Sequence, residues 1–169
     1  MIFMKKKTNN KKGFTLIEVI IAISIIVVGI ISCIALISSS ISGVTAGKSK
    51  IIAAGLAQEG VEIVRNIRDN NWTNYKRTID TWRDGLNEGN WLVQHNNQSL
   101  IPYLSVQLKK DSNGFYQYDN GADMGFYRKI NISYVGDNQI KVLSEVTWQE
   151  KGRNQSIQIE NRLYNWLQE

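Results

Sequence analysis

The hydrophobic pattern changes abruptly at Phe14. A short polar and basic stretch precedes it, and from Val19 to Gly47 no residue is charged. The 19 residues from Val19 to Ile37 are interrupted only by the small polar Ser24 and Ser32. At about 1.5 Å per helical residue, such a run is ~28 Å long, close to the thickness of a bilayer core. Beyond it the pattern becomes amphipathic. Ile52, Leu56, Gly60, Ile63 and Ile67 recur every three or four positions, with Val64 widening the stripe. Arg65 and Asp69 sit at i, i+4, and Asp69-Asn70-Asn71 is a stop signal. The spacing predicts one helix from Phe14 to about Asp69, ~84 Å long. Its first half is apolar all round, and its second half has one apolar face.

The region from 72 to 125 is polar and rich in Asn and Gly. Trp91–Gln94 and Tyr103–Leu108 read as short strands, and Asp111-Ser112-Asn113-Gly114 as a turn leading to a further strand at Phe115–Tyr118. The last part of the chain alternates clearly. Phe126, Ile130, Ile132 and Tyr134 share one face of a strand. Gly136-Asp137-Asn138 turns it, and Ile140, Val142, Val146 and Trp148 follow, with Ser144 the weak position. After a second turn at Lys151–Asn154, a third strand carries Ile157, Ile159 and Leu163 and ends near Trp166. Two short turns between three apolar faces predict an antiparallel meander. The helix stripe and the meander each need the other to bury their faces, so the expected class is α+β, a long N-terminal helix packed on a C-terminal antiparallel sheet.

Composition narrows the chemistry. The 169 residues hold one Cys and one His, which excludes an internal disulfide and a cysteine-cluster metal site. The formal charge of +5 comes from 20 basic and 15 acidic residues, and Lys5, Lys6, Lys7, Lys11 and Lys12 account for all the excess. The rest is formally neutral, so the basic balance does not indicate nucleic acid as a partner.

Three readings compete for the N-terminal third. A secretory signal peptide would have an apolar core of ~7–15 residues and a small-residue cleavage site, for which Ser40-Ile41-Ser42 before Gly43 serves passably. A lipoprotein signal would end at Cys33, yet the apolar run continues through Ile34, Leu36 and Ile37. In the third reading the helix is retained. Five lysines before it and none just after it place the N-terminus in the cytoplasm, with the remainder outside.

The third reading has a specific word behind it. Gly13-Phe14-Thr15-Leu16-Ile17-Glu18, after a short basic leader and before an aliphatic helix, resembles the cleavage and methylation motif of type IV prepilins. The likeness is strong from about residue 5 to 40. It implies cleavage between Gly13 and Phe14 by a membrane prepilin peptidase, and N-methylation of the new Phe14 amine. It also implies a pilin-like fold and a non-enzymatic filament subunit without cofactors. The partners implied are other pilins through the N-terminal helix, the peptidase and methylase, the membrane and an assembly platform. The resulting division is a leader at 1–13, a membrane or filament-core helix at 14–41, its amphipathic continuation at 42–71 and a head at 72–169. Glu18-Val19 and a proline-free helix with Gly29 look more like a minor pilin or pseudopilin than a major one. Many pilins carry a helix-breaking proline in this half and close a C-terminal loop with a disulfide; here Pro102 is the one proline and Cys33 has no partner.

Glu18 has a physical role beside the resemblance. A carboxylate inside the membrane costs about 2.5–3.5 kcal/mol at a helix centre and less near an end. Where apolar helices pack together it needs a cation, and the Phe14 amine, on its own chain or a neighbour's, is the nearest. At ~4 Å and an effective dielectric of ~20 such a pair attracts by about 4 kcal/mol before desolvation. The plain alternative is an interfacial acid at a helix N-terminus.

The remaining candidates are weak. His95 lies in a polar stretch, and the motifs of serine hydrolases and P-loop enzymes are missing from the sequence. Asp111, Asn113, Asp119 and Asp123 gather loosely as for calcium, without EF-hand spacing. Lys76, Arg77 and Arg83 alternate with Trp72, Tyr75 and Trp82, as in single-strand stacking sites, but solvated turn residues over a small core explain them too. Gly43 and Gly47 form a GxxxG near the membrane edge. The competing function is a single-pass membrane protein whose head binds a ligand outside the cell.

Overall fold

The computed structural model describes residues 13–74, 82–97 and 99–166. Helix α1 spans Leu16–Asn74. The strands are β1 (Gly89–Leu92), β2 (Ile101–Pro102), β3 (Lys109–Lys110), β4 (Tyr116–Gln117), β5 (Ala122–Asp123), β6 (Phe126–Tyr134), β7 (Gln139–Glu150) and β8 (Arg153–Tyr164). By its contacts the chain divides into two units, up to Thr45 and from Ala46 onward.

In the first unit the helix exposes its apolar side chains on every side, from Leu16 and Ile17 to Ile41 and Val44. It is long and apolar enough to cross a membrane. Three of its hydroxyls are satisfied by the helix backbone. Ser24 donates to the Ile20 carbonyl at 2.8 Å, Ser32 to Val28 at 2.8 Å and Thr45 to Ile41 at 3.0 Å. This back-bonding suits a lipid environment, where an unpaired donor is costly.

In the second unit the stripe of α1 packs on a five-stranded antiparallel sheet of order β2-β1-β6-β7-β8. Leu56, Val61, Ile63, Val64 and Ile67 are buried against Ile130, Ile132, Ile140, Val142 and Val146 from the central strands. The expected meander is present as β6, β7 and β8. It runs in unbroken register from Phe126 opposite Trp148 to Tyr134 opposite Ile140, and from Gln139 opposite Tyr164 to Glu150 opposite Arg153. The β7–β8 hairpin closes on Lys151 and Gly152, with φ of 49° and 74°. Positive φ at both central residues is the type I′ geometry whose twist matches the strands. A second, three-stranded sheet of order β4-β3-β5 is built from two-residue strands.

Gly60 is the point of closest approach between helix and sheet. A Cβ there would lie 2.8 Å from Ile130 Cδ1, 2.9 Å from Ser144 Oγ and 3.1 Å from Arg128 Cδ. Gly60 and Ser144 are small for the same reason: they face each other across the tightest part of the core. The gap also lets Arg128 through. Its fully buried guanidinium donates from Nη1 to the Leu56 carbonyl at 3.0 Å and to Glu59 Oε2 at 3.2 Å, and from Nη2 to the Val93 carbonyl at 2.6 Å. One side chain on β6 thereby ties together the helix, the sheet and the segment after β1. Burial pushes the phenol of nearby Tyr118 above its usual range, with the charge of Arg128 opposing the shift.

Two sequence expectations need correction. Tyr103–Leu108 is not a strand. Tyr103 to Val106 are exposed and only Leu108 is fully buried, so the segment crosses the sheet as a loop held by its end, where Leu108 N donates to the Phe126 carbonyl at 2.8 Å. The strands expected at 91–94 and 115–118 are present, shifted as β1 and shortened as β4. The helix continues past Asp69-Asn70-Asn71 to Asn74 because the Asn71 side chain is used elsewhere, donating to the carbonyls of Trp82 at 3.2 Å and Asp84 at 2.8 Å. Arg128, between Phe126 and Ile130, faces inward with them.

Candidate processing and assembly segment

Gly13, Phe14 and Thr15 precede the helix in irregular backbone, and Leu16 is its first residue. Phe14 is 80% exposed, and nothing lies within 4 Å of the position a Cβ would take at Gly13. The Gly13–Phe14 junction thus lies exposed and outside the helix.

Thr15 begins the helix. Its carbonyl accepts from Glu18 N at 3.1 Å and Val19 N at 3.2 Å, and its Oγ1 lies 3.4 Å from Glu18 N. That is the N-cap arrangement, with a hydroxyl facing one of the helix's unpaired amide donors. Thr15-Leu16-Ile17-Glu18 has the T-x-x-E spacing of a capping box, a signal that the longer motif overlies in the sequence. Glu18 lies in the first turn, where the partial positive charge of the helix N-terminus favours a carboxylate.

The alternatives to this segment fare less well. Asp111 Oδ1 accepts from the backbone amides of Asn113 and Phe115, both at 2.9 Å, and so holds its own turn. Asp119 accepts from Gln94 Nε2 at 3.2 Å, and Asp123 is in β5. Among the described residues no group of three or more acidic, His or Cys side chains is placed to hold a metal ion. Tyr75, Lys76 and Arg77 lie outside the described residues. Arg83 stacks over Trp82 and Tyr134, at 5.6 and 4.8 Å from the ring centroids. His95 is exposed and stacks on Phe115 at 4.6 Å. Cys33 is a free thiol on the exposed apolar helix. At Gly43 and Gly47 nothing lies within 4 Å of the position a Cβ would take.

A family model described as the prokaryotic N-terminal methylation motif matches residues 8–34. The match spans the end of the basic leader, Gly13, Phe14, Glu18 and most of the apolar run, and this stretch is the type IV pilin prepilin-type signal. Neither a curated protein nor a solved structure matches the chain. The signal, the apolar helix and the α+β head together have the architecture of a type IV pilin-like protein.

Proposed function

We propose that this chain, with its prepilin-type signal, is a minor pilin or pseudopilin: a structural subunit stored in the cytoplasmic membrane and assembled into a pilus-like or secretion filament. The observation that carries the reading is the junction at Gly13 and Phe14, an exposed peptide bond immediately before a capped helix whose first half is almost entirely apolar. Cleavage there removes the lysine-rich leader and creates a new amine on Phe14, which is then methylated. Until cleavage that nitrogen is an amide without charge. The cation that Glu18 needs in a packed bundle of apolar helices therefore exists only in the processed subunit, which makes assembly depend on processing.

In this reading the N-terminus is inside and the head outside the cell or in the periplasm. Before assembly, lipid covers the apolar side chains of the first unit; afterwards, equivalent helices of other subunits cover them. Glu18 sets the register between neighbours through the Phe14 amine. The peptidase, the methylase and a membrane assembly platform are the partners required. The chain's contribution is structural rather than catalytic.

The test separates processing from assembly. Glu18→Ala removes a charge from an apolar helix and should insert and be cleaved normally, yet be depleted from sheared filaments relative to the membrane fraction. Normal incorporation would reduce Glu18 to an interfacial acid of the helix cap and remove the assembly role.

A further inference from the structure

The face of the main sheet turned away from α1 carries a groove of about 530 Å³. Its floor crosses three strands. Tyr127 on β6 is paired with Thr147 on β7, and Gln149 on β7 with Asn154 on β8. The wall is the Tyr103–Leu108 loop, contributing Tyr103 and Gln107. That loop is pinned at both ends, by Tyr103 N to the Asn90 carbonyl at 3.3 Å and Leu108 N to the Phe126 carbonyl at 2.8 Å. Gln107 Nε2 also donates to the Tyr127 hydroxyl at 2.9 Å, which fixes both side chains. The groove is therefore preformed on rigid elements, within the size range of small-ligand sites.

Its chemistry is narrow. None of the lining residues is charged; hydroxyls, side-chain amides and aromatic rings make up most of the surface. Anions and cations find no counter-charge in such a lining. A wholly apolar ligand would strand its amides and hydroxyls. A ring of hydroxyls with one apolar C–H face satisfies both kinds of surface, because amides pair with hydroxyls in both directions and an exposed tyrosine ring accepts the C–H face. We propose that this groove is a binding site for a neutral saccharide, with Tyr103 as the stacking platform and Gln149 and Asn154 as hydrogen-bonding partners.

The test uses the full chain in lipid nanodiscs, which avoids sugar-headed detergents. Saturation-transfer NMR is run with galactose, N-acetylglucosamine and maltose, alongside sialic acid as a charged sugar and a neutral serine–asparagine tripeptide as a peptide control. At least one neutral sugar should receive saturation, and sialic acid and the tripeptide should not. Tyr103→Ala and Gln149→Ala both change exposed side chains, and each should weaken binding by about 10-fold or more, the factor carried by each 1.4 kcal/mol, while circular dichroism stays unchanged. Three results would overturn the proposal: no saturation of any neutral sugar, equal saturation of the tripeptide, or binding that both variants leave intact.

Discussion

Arg128 offers the sharpest test of how the head is held together. Its guanidinium is fully buried, with carbonyls of Leu56 and Val93 and the carboxylate of Glu59 as partners. Arg128→Met keeps much of the volume but leaves the Val93 carbonyl without this donor. An orphaned buried acceptor costs about 1–3 kcal/mol. Leu56 adds little, since a mid-helix carbonyl keeps its helical bond. Glu59 is 30% exposed at its side chain and can turn to water, so the full penalty of a stranded buried charge does not apply. Arg128→Ala adds a cavity where the stem ran, which raises the expected loss to about 3–5 kcal/mol. Because Gly60 makes room for that stem, Gly60→Val should cost about 1–3 kcal/mol by overpacking. The Gly60→Val/Arg128→Ala double variant should lose less than the sum of the two, as contacting sites do. Urea unfolding of a fragment from Gly47 onward, followed by tryptophan emission, reads these differences as midpoint shifts at constant slope. A buried cation also carries a desolvation cost, and Met removes it. An Arg128→Met head as stable as the parent, or more so, would show that this cost outweighs the three contacts and would refute the reasoning.

Two further outcomes concern the head. A fragment from Gly47 to Glu169 retains the stripe and the sheet and should fold cooperatively. One starting at Trp72 loses Leu56, Val61, Ile63, Val64 and Ile67, each worth about 1.5–3 kcal/mol, against a domain total of ~5–15 kcal/mol, and should melt without a transition or aggregate; a cooperative melt from it would separate the helix from the core. Glu145 is held below its ordinary pKa of 4.5 by hydrogen bonds from Lys129 first and Gln158 second. A depressed carboxylate stabilises the fold above its unfolded value and loses that contribution as pH falls through the folded one. The melting-temperature gap between the parent head and Glu145→Gln should therefore be present at pH 7 and shrink below about pH 4.5; a gap independent of pH would contradict the assignment.

Much of this protein is legible in its residues because its main elements are long and periodic. The stripe Ile52, Leu56, Gly60, Ile63, Ile67 and the alternation through β6 and β7 each repeat often enough to be read without a structure. The prepilin-type signal is more legible still, because it is linear: Gly13, Phe14, Thr15 and Glu18 are neighbours in the chain. The head between Trp82 and Gly125 is only partly legible. Its strands are mostly two residues long, and it enters the core through isolated side chains such as Trp82, Leu86 and Leu108, which leave no period. Arg128 escapes notice for the opposite reason. The alternation marks it as inward, but a charge on an apolar face reads as an interruption unless its partners are known, and these come from Leu56, Glu59 and Val93, far away in the chain.

The central claim is that the chain is cut once, between Gly13 and Phe14, and keeps its apolar helix. Intact-mass and N-terminal fragment analysis of the protein, recovered from membranes of cells that carry a prepilin peptidase, tests it directly. The expected result is loss of Met1–Gly13, gain of a single methyl group, and a first residue of N-methyl-Phe14; Gly13 replaced by a bulky residue should keep the leader. A mature start at Cys33 or Gly43 would contradict it and restore the lipoprotein or secretory signal.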